Sequence, residues 1–142
     1  LFRSLQRSGC VRRDLWRASR GFRAGSVGCA PAPDDGCRVL VDRLWPRGVR
    51  RDALHCDVWA RDLAPSAGLR SWYHADPGDR WEEFRRRYAD ELRASQAVRE
   101  FVRGIEGADT VTLLYASKNA AENHALILQE YLQRAAGGAT TA

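Results

Sequence analysis

The stretch RVLVDRLWPRGV, residues 38–49, begins as a buried β-strand and ends on charged residues. Its apolar run, VLV at 39–41, is continuous rather than alternating, which is typical of a strand covered on both faces in a parallel sheet. Pro46 has no N–H for a ladder and biases Trp45 toward extended backbone. We therefore predict a strand over Cys37–Leu44 that is followed by a charged loop.

The rest of the chain predicts one more strand and several helices. TVTLLY, residues 110–115, is β-branched and aromatic, which indicates a second buried strand. Apolar residues at helical spacing predict a helix over 54–63, and Ser66 is a predicted cap for a short one. Two pairs have the spacing of a capping box and predict further helix starts: Asp79 with Glu82, and Asn119 with Glu122.

This order of elements predicts the fold class. Strand, helices, strand and helix together favour an α/β fold, with a small parallel-type sheet, helices packed on it and a single compact domain over residues 31–136. The crossover between the two strands is expected to be right-handed. We expect residues 137–142 to be a frayed tail.

The basic character of the chain lies in its first thirty residues. The net charge is +5, yet residues 1–30 hold seven Arg and one acid, which leaves 16 basic and 17 acidic residues in the remainder. A nucleic-acid footprint would have to lie on the folded body, so nucleic acid is an unlikely partner for the domain. We expect residues 1–30 to be a disordered extension outside the fold. A transit peptide, a basic arm and sequence foreign to the native domain remain alternatives.

Composition also bears on membranes, metals and compartment. No apolar run approaches the roughly 18 residues of a membrane-spanning helix, so we expect no membrane association. The four cysteines form no Cys-x-x-Cys pair, and the His and Asp spacings match no metal motif, so we expect neither a metal nor a cofactor. Free thiols are typical of a reducing compartment, and we expect a cytoplasmic protein.

Charged and polar residues follow both predicted strands. Parallel strands bring their carboxyl ends to one edge of the sheet, where ligands of open α/β sheets bind. Because side chains alternate along a strand, Asp42 and Arg43 should point to opposite faces. We expect Arg43 to bond a carboxylate or carbonyl beneath a helix, and Asp42 to accept from Arg47 or Arg70.

These positions form the candidate site. Asp42 and His124 are the candidate catalytic residues, because a carboxylate and an imidazole can move a proton near neutral pH. The N-terminus of the last helix favours an anion. Trp45 would form a wall of the site or stack on the ligand. The candidate ligand-binding residues are Arg43, Trp45, Arg47, Arg70, Tyr115, Ser117, Lys118 and Asn123. The structural alternative is a buried Arg–Asp network that fixes the loop 45–49, with His124 as an ordinary helix residue.

Several motifs carry a family resemblance: VLVDRLWPRGV (39–49), DVWARDLAPS (57–66), LRSWY (69–73), HADPGDRWEEFRRRYADEL (74–92) and TVTLLYASKNAAENHALILQEYL (110–132). With them the chain resembles the YeaO-like family of small bacterial proteins, domain of unknown function 488. The resemblance implies an α/β domain in a bacterial cytoplasm and no established reaction. It implies site membership for the matching residues Asp42, Arg43, Trp45, Pro46, Arg47, Gly48, Tyr115, Asn123 and His124.

The chain departs from that family at two places. RAGSVGCA (23–30) stands where the family opens with a short strand, and its strand character is poor. Asn119 stands where the family often has an acid, which puts a charge-dependent role there in doubt.

Two functions are compatible with these features. The first is an enzyme acting on a phosphorylated or nucleotide-like ligand, in other words a small anionic one, at the carboxyl edge of the sheet. The alternative is a non-catalytic regulatory module that binds a metabolite or a partner. The oligomeric state is left open.

Overall fold

The computed structural model describes residues 21–105 and 108–141, with side chains as far as residue 135. Four strands form one sheet in the order β1-β4-β2-β3, and every neighbouring pair is parallel. The strands are β1 (Gly21–Ser26), β2 (Cys37–Leu40), β3 (Val58–Trp59) and β4 (Thr110–Tyr115). The helices are α1 (Arg51–Leu54), α2 (Ala67–His74), α3 (Pro77–Ala94), α4 (Gln96–Gly104) and α5 (His124–Thr141). The predicted α/β class with a parallel sheet is confirmed.

The two strands predicted from sequence are the central pair. β2 lies beside β4, with Val39 opposite Leu113 and Leu40 opposite Leu114. All four residues of β2 are buried, and so is Val41, which explains the apolar run at 39–41. Arg38 is buried with its guanidinium donating to the carbonyls of His55 and Leu54. Both strands run in the same direction, so the residues that follow them meet at one edge of the sheet.

The main hydrophobic core lies between one face of the sheet and the helices. Its largest fully buried side chain is Tyr88 of α3, whose hydroxyl donates to the carbonyl of Leu63. The opposite face carries a smaller apolar cluster of Leu40, Leu54 and Leu114, with Trp45 and Trp59 packed against it. The residues between β2 and β3 therefore cover the second face.

The sheet begins ten residues before the domain boundary expected from the sequence. β1 pairs with β4 along its whole length, although the sequence GFRAGS has little strand character and only Phe22 is buried. The strand is held through its backbone: Phe22 N–H donates to Gln133, and Phe22 C=O accepts from Gln129. Residues 21–26 thus belong to the fold, and residues 1–20 lie outside the described part.

The predicted helix over 54–63 is wrong. His55 has a φ of 57°, in the left-handed region, and ends α1. Val58 and Trp59 then pair with β2 as a two-residue strand, and a 3-10 turn follows at Arg61–Leu63. Val58 joins the main core and Trp59 the opposite face, so an apolar set that matched helical spacing serves two sides of a sheet.

The ends of the long helices also differ from the predictions. α3 begins at Pro77, two residues before the capping box at Asp79. α5 begins at His124 and continues to Thr141, past the tail predicted from residue 137. The Asn119 side chain instead accepts from the N–H groups of Ala121 and Glu122, which makes a loop turn and not a helix cap.

Candidate functional site

A cavity of about 410 Å³ opens at the carboxyl ends of β2 and β4. Its size is in the ordinary range for small-molecule sites. Eight of the ten residues predicted for the site line it: Asp42, Arg43, Trp45, Arg47, Arg70, Ser117, Asn123 and His124. Tyr115 is buried in the main core, and the exposed Lys118 lies outside the lining.

Asp42 joins the residues that follow the two central strands. Its Oδ2 accepts from the backbone N–H of Ala116 across 2.9 Å, and its backbone carbonyl accepts from the indole of Trp59 across 2.8 Å. Burial raises the pKa of Asp42, while His124, the Ala116 N–H and Arg70 act in the opposite direction. The predicted hydrogen bond from Arg47 or Arg70 to this carboxylate is wrong within the described residues, where the backbone N–H of Ala116 is its donor.

His124 is the first residue of α5 and lies beside Asp42. Its Nε2 is 3.0 Å from the carbonyl oxygen of Val41 and 3.4 Å from Oδ1 of Asp42. A carbonyl only accepts, so Nε2 carries the proton in this arrangement. Burial lowers the pKa of His124, although Asp42 opposes that shift, and the neutral imidazole is favoured. The two candidate catalytic groups therefore lie side by side, and each bonds to the backbone.

Arg43 lies between two cavities. Its guanidinium donates to the carbonyl of Pro65 across 3.1 Å, which confirms the predicted bond to a carbonyl. The Nε of Arg43 is buried without a hydrogen-bond partner. Arg43 also lines a second cavity of about 200 Å³, which Tyr88 and Glu91 help to form.

Trp45 holds the loop that follows β2. Its indole N–H donates to the carbonyl of Val49 across 2.6 Å, and its ring meets Trp59 edge-on at 5.4 Å. The guanidinium of Arg51 lies 4.6 Å from the same ring. The loop 45–49 is thus held through the tryptophan and not through the Arg–Asp network of the structural alternative, and Trp45 also lines the cavity.

Three charged side chains in the cavity lack a bonded partner. Among the described residues, the guanidinium groups of Arg47 and Arg70 and the carboxylate of Glu122 make no hydrogen bond or ion pair. Arg47 and Arg70 are exposed and Glu122 is half-buried. The cavity therefore presents free charges of both signs.

The start of α5 is closed by its own residues. Asn123 Oδ1 accepts from Leu126 N–H across 3.2 Å, and in the loop before the helix Ser117 Oγ accepts from Asn119 N–H. Glu122 adds a carboxylate next to this helix end. The N–H groups that were expected to face an anion are thus partly satisfied within the chain.

Several lining residues were missed by the sequence reasoning. Tyr73 and Phe84, stacked at 4.3 Å, lie beneath the cavity, and His74 and Glu122 also line it. Tyr73 and Phe84 fall on ordinary apolar helix stripes, and Glu122 has the spacing of a capping residue. No local signal distinguishes such residues from core or cap positions.

In residues 21–105 and 108–141, no group of three or more His, Cys, Asp or Glu side chains is placed to hold an ion. Within the same residues, no helix combines the length and apolar character that crossing a bilayer requires.

The fold and cavity define an α/β protein with a pocket of charged and apolar side chains at the carboxyl edge of a parallel sheet. Residues 22–140 match a family described as "Inactive DUF488-N3 subclade", and the chain belongs to this YeaO-like family. The match includes residues 22–26 of β1, whose sequence had appeared foreign to the family.

Named bacterial relatives agree with this assignment. The chain is 46% identical to the uncharacterised protein Rv3073c of Mycobacterium tuberculosis over 100 residues, which are 70% of this chain and 83% of that protein. It is 39% identical to the uncharacterised protein YeaO of Escherichia coli over 99 residues, 70% of this chain and 85% of YeaO. No solved structure matches the chain.

Proposed function

We propose that this protein is a non-catalytic binding module that takes a small anionic metabolite into the cavity at the carboxyl edge of the sheet. One observation carries the proposal: the guanidinium groups of Arg47 and Arg70 line the cavity without a bonded partner among the described residues. Planar guanidinium donors suit carboxylate and phosphate groups. The residues come from a loop and a helix, so an anion between them would join two elements.

The bonding of Asp42 and His124 supports binding rather than chemistry. A general base needs a lone pair within reach of a substrate proton, and a general acid needs a free N–H or O–H. The single N–H of the neutral His124 already donates to Val41, so it is not free to act as a general acid, and Oδ2 of Asp42 already accepts from Ala116. The family description, with its word "inactive", points in the same direction.

An enzyme is the second candidate, because one observation favours it. Asp42 has a raised pKa and His124 a lowered one, and the two groups line the same cavity. Opposed shifts in neighbouring groups are typical of acid–base pairs. In that case Asp42 or His124 would move a proton on an anionic, phosphorylated or nucleotide-like substrate.

A thermal-shift screen tests the binding proposal. The panel holds nucleotides, sugar phosphates and small carboxylates, and the full chain is compared with Arg47→Gln, Arg70→Gln and the control Arg86→Gln. Arg86 is exposed on α3, outside the cavity. We expect at least one anion to raise the melting temperature of the wild type and of the control, and to raise it less in both cavity variants. A well-folded sample that responds to no anion contradicts the proposal.

We propose a bacterial cytoplasmic location. The free thiols of Cys29 and Cys56 support it, because reducing compartments keep thiols unpaired.

A further inference from the structure

The cavity holds two positive side chains and one negative side chain, and a ligand with only negative charge would complement just the first two. Arg47 and Arg70 come from the loop after β2 and from α2, whereas Glu122 comes from the segment before α5. All three side chains lack a bonded partner within the described residues. A carboxylate without a partner beside a proposed anion site repels a ligand that carries only negative charge.

Tyr73 lies near both the negative Glu122 and the positive Arg70. Glu122 is close enough to Tyr73 to help raise the pKa of its hydroxyl, after the larger effect of burial. Tyr73 and Arg70 are three residues apart on α2, so their side chains are neighbours on one face of the helix. Yet no guanidinium nitrogen of Arg70 lies within 4.0 Å of a carboxylate oxygen of Glu122. Opposite charges thus face the same space without closing it.

The remaining lining of this space is largely apolar. Tyr73 and Phe84 are buried beneath it, and Trp45, Pro46 and Pro65 contribute further apolar surface. A ligand that fills about 410 Å³ here would place a hydrocarbon or aromatic body against these residues.

We propose that the cavity binds an amino-acid-like zwitterion with an apolar body. Its anionic group contacts Arg47 and Arg70, and its ammonium group contacts Glu122. Asp42 is not the ammonium partner, because its oxygens already face the Ala116 N–H and His124. This inference rests on the proposed binding function and gives its ligand a chemical class.

Three matched probes test the inference in isothermal titration of the full chain. L-Phenylalanine carries both charges, 3-phenylpropanoate lacks the ammonium, and 2-phenylethylamine lacks the carboxylate. We expect phenylalanine to bind at least about tenfold more tightly than either analogue, because each loses one charged contact.

The variant Glu122→Gln tests whether Glu122 is the residue that contacts the ammonium group. The Glu122 side chain makes no hydrogen bond in the described structure, so the variant should fold normally, which thermal denaturation checks. We expect it to weaken phenylalanine binding about tenfold and to leave 3-phenylpropanoate binding unchanged or stronger. Arg86→Gln serves as the control and should change neither.

The outcomes separate this inference from the proposed function. Equal affinity for phenylalanine and 3-phenylpropanoate, with loss of both in Arg47→Gln and Arg70→Gln, overturns the zwitterion and leaves an anion site. Binding of none of the three probes overturns the zwitterion, and a negative anion screen in addition overturns the binding function.

Discussion

The carboxylate of Asp42 accepts a hydrogen bond from the backbone N–H of Ala116 across 2.9 Å, and this contact joins the chain just after β2 to the chain just after β4. His124 Nε2 lies 3.4 Å from the other oxygen of the same carboxylate. Asp42 is therefore a junction of two strand ends and a helix start. Its carboxylate therefore stabilises the edge of the sheet at which the cavity opens.

Replacing Asp42 by asparagine should lower stability. The amide oxygen can still accept from Ala116, but the amide N–H₂ then faces the Nε2–H of His124, which opposes two donors. We expect a loss of about 1–3 kcal/mol in the free energy of unfolding, measured by chemical denaturation. The control Asp52→Asn, on the exposed surface, should change it by no more than about 0.5 kcal/mol. Unchanged stability of Asp42→Asn together with lost turnover on some substrate would establish the catalytic alternative.

His124 should make stability depend on pH. Burial lowers its pKa in the folded protein from the ordinary value of 6.5, so the unfolded chain binds more protons just below that pH. The contribution of His124 to the free energy of unfolding is complete above pH 6.5 and is lost as the pH falls through the lowered pKa. The raised pKa of Asp42 has the opposite sign, because its contribution is complete below 3.8 and is lost as the pH rises.

The variant His124→Gln isolates that effect. Glutamine keeps an N–H donor for Val41 and does not titrate. We expect the wild type to lose more stability than this variant when the pH falls below 6.5, as followed by urea denaturation at several pH values. His55→Asn, at an exposed left-handed position outside the cavity, is the control and should behave as the wild type. Parallel pH profiles for wild type and His124→Gln would refute the assignment.

The indole N–H of Trp45 should be needed for the shape of the loop after β2. Trp45→Phe keeps an aromatic ring, smaller than the indole, and removes the bond to the Val49 carbonyl. We expect a loss of about 1 kcal/mol in stability and faster amide exchange at Val49, measured by denaturation and by NMR. Trp72→Phe is the matched control, because the Trp72 ring packs under Arg80 and Arg87 and its indole N–H has no bond in the described structure. An equal effect of the two substitutions would show that ring size matters and the hydrogen bond does not.

Gly36 should tolerate no side chain. Its φ is +66°, and a Cβ there would lie 2.2 Å from the backbone oxygen of Thr110. We expect Gly36→Ala to destabilise the protein by more than about 2 kcal/mol or to prevent folding, since β2 and β4 would have to separate. Gly78→Ala, where a Cβ meets nothing within 4 Å inside α3, should stabilise by about 0.5–1 kcal/mol. Similar melting temperatures for both variants would contradict this reading of the turn.

The central strands and their direction were predictable because burial on both faces leaves a continuous apolar run. That argument placed Asp42 and His124 near one edge, and the structure brings them together. β1 was not predictable, since its pairing uses backbone groups of an edge strand and its sequence buries only Phe22. Val58 and Trp59 were misread because two adjacent apolar residues fit a helix stripe as well as a short strand. Glu122 was missed as a lining residue because its position opposite Arg70 depends on how α2 packs against the rest of the domain.

The most direct test of the central claim is an NMR titration of the isotope-labelled full chain with 3-phenylpropanoate. Binding at the carboxyl edge of the sheet predicts that amide shifts concentrate at Arg47, Arg70, Ser117 and Glu122, and that Arg70→Gln reduces them. Shifts confined to other surfaces, or a spectrum that changes neither with this probe nor with any anion of the thermal-shift panel, would contradict a binding site in this cavity.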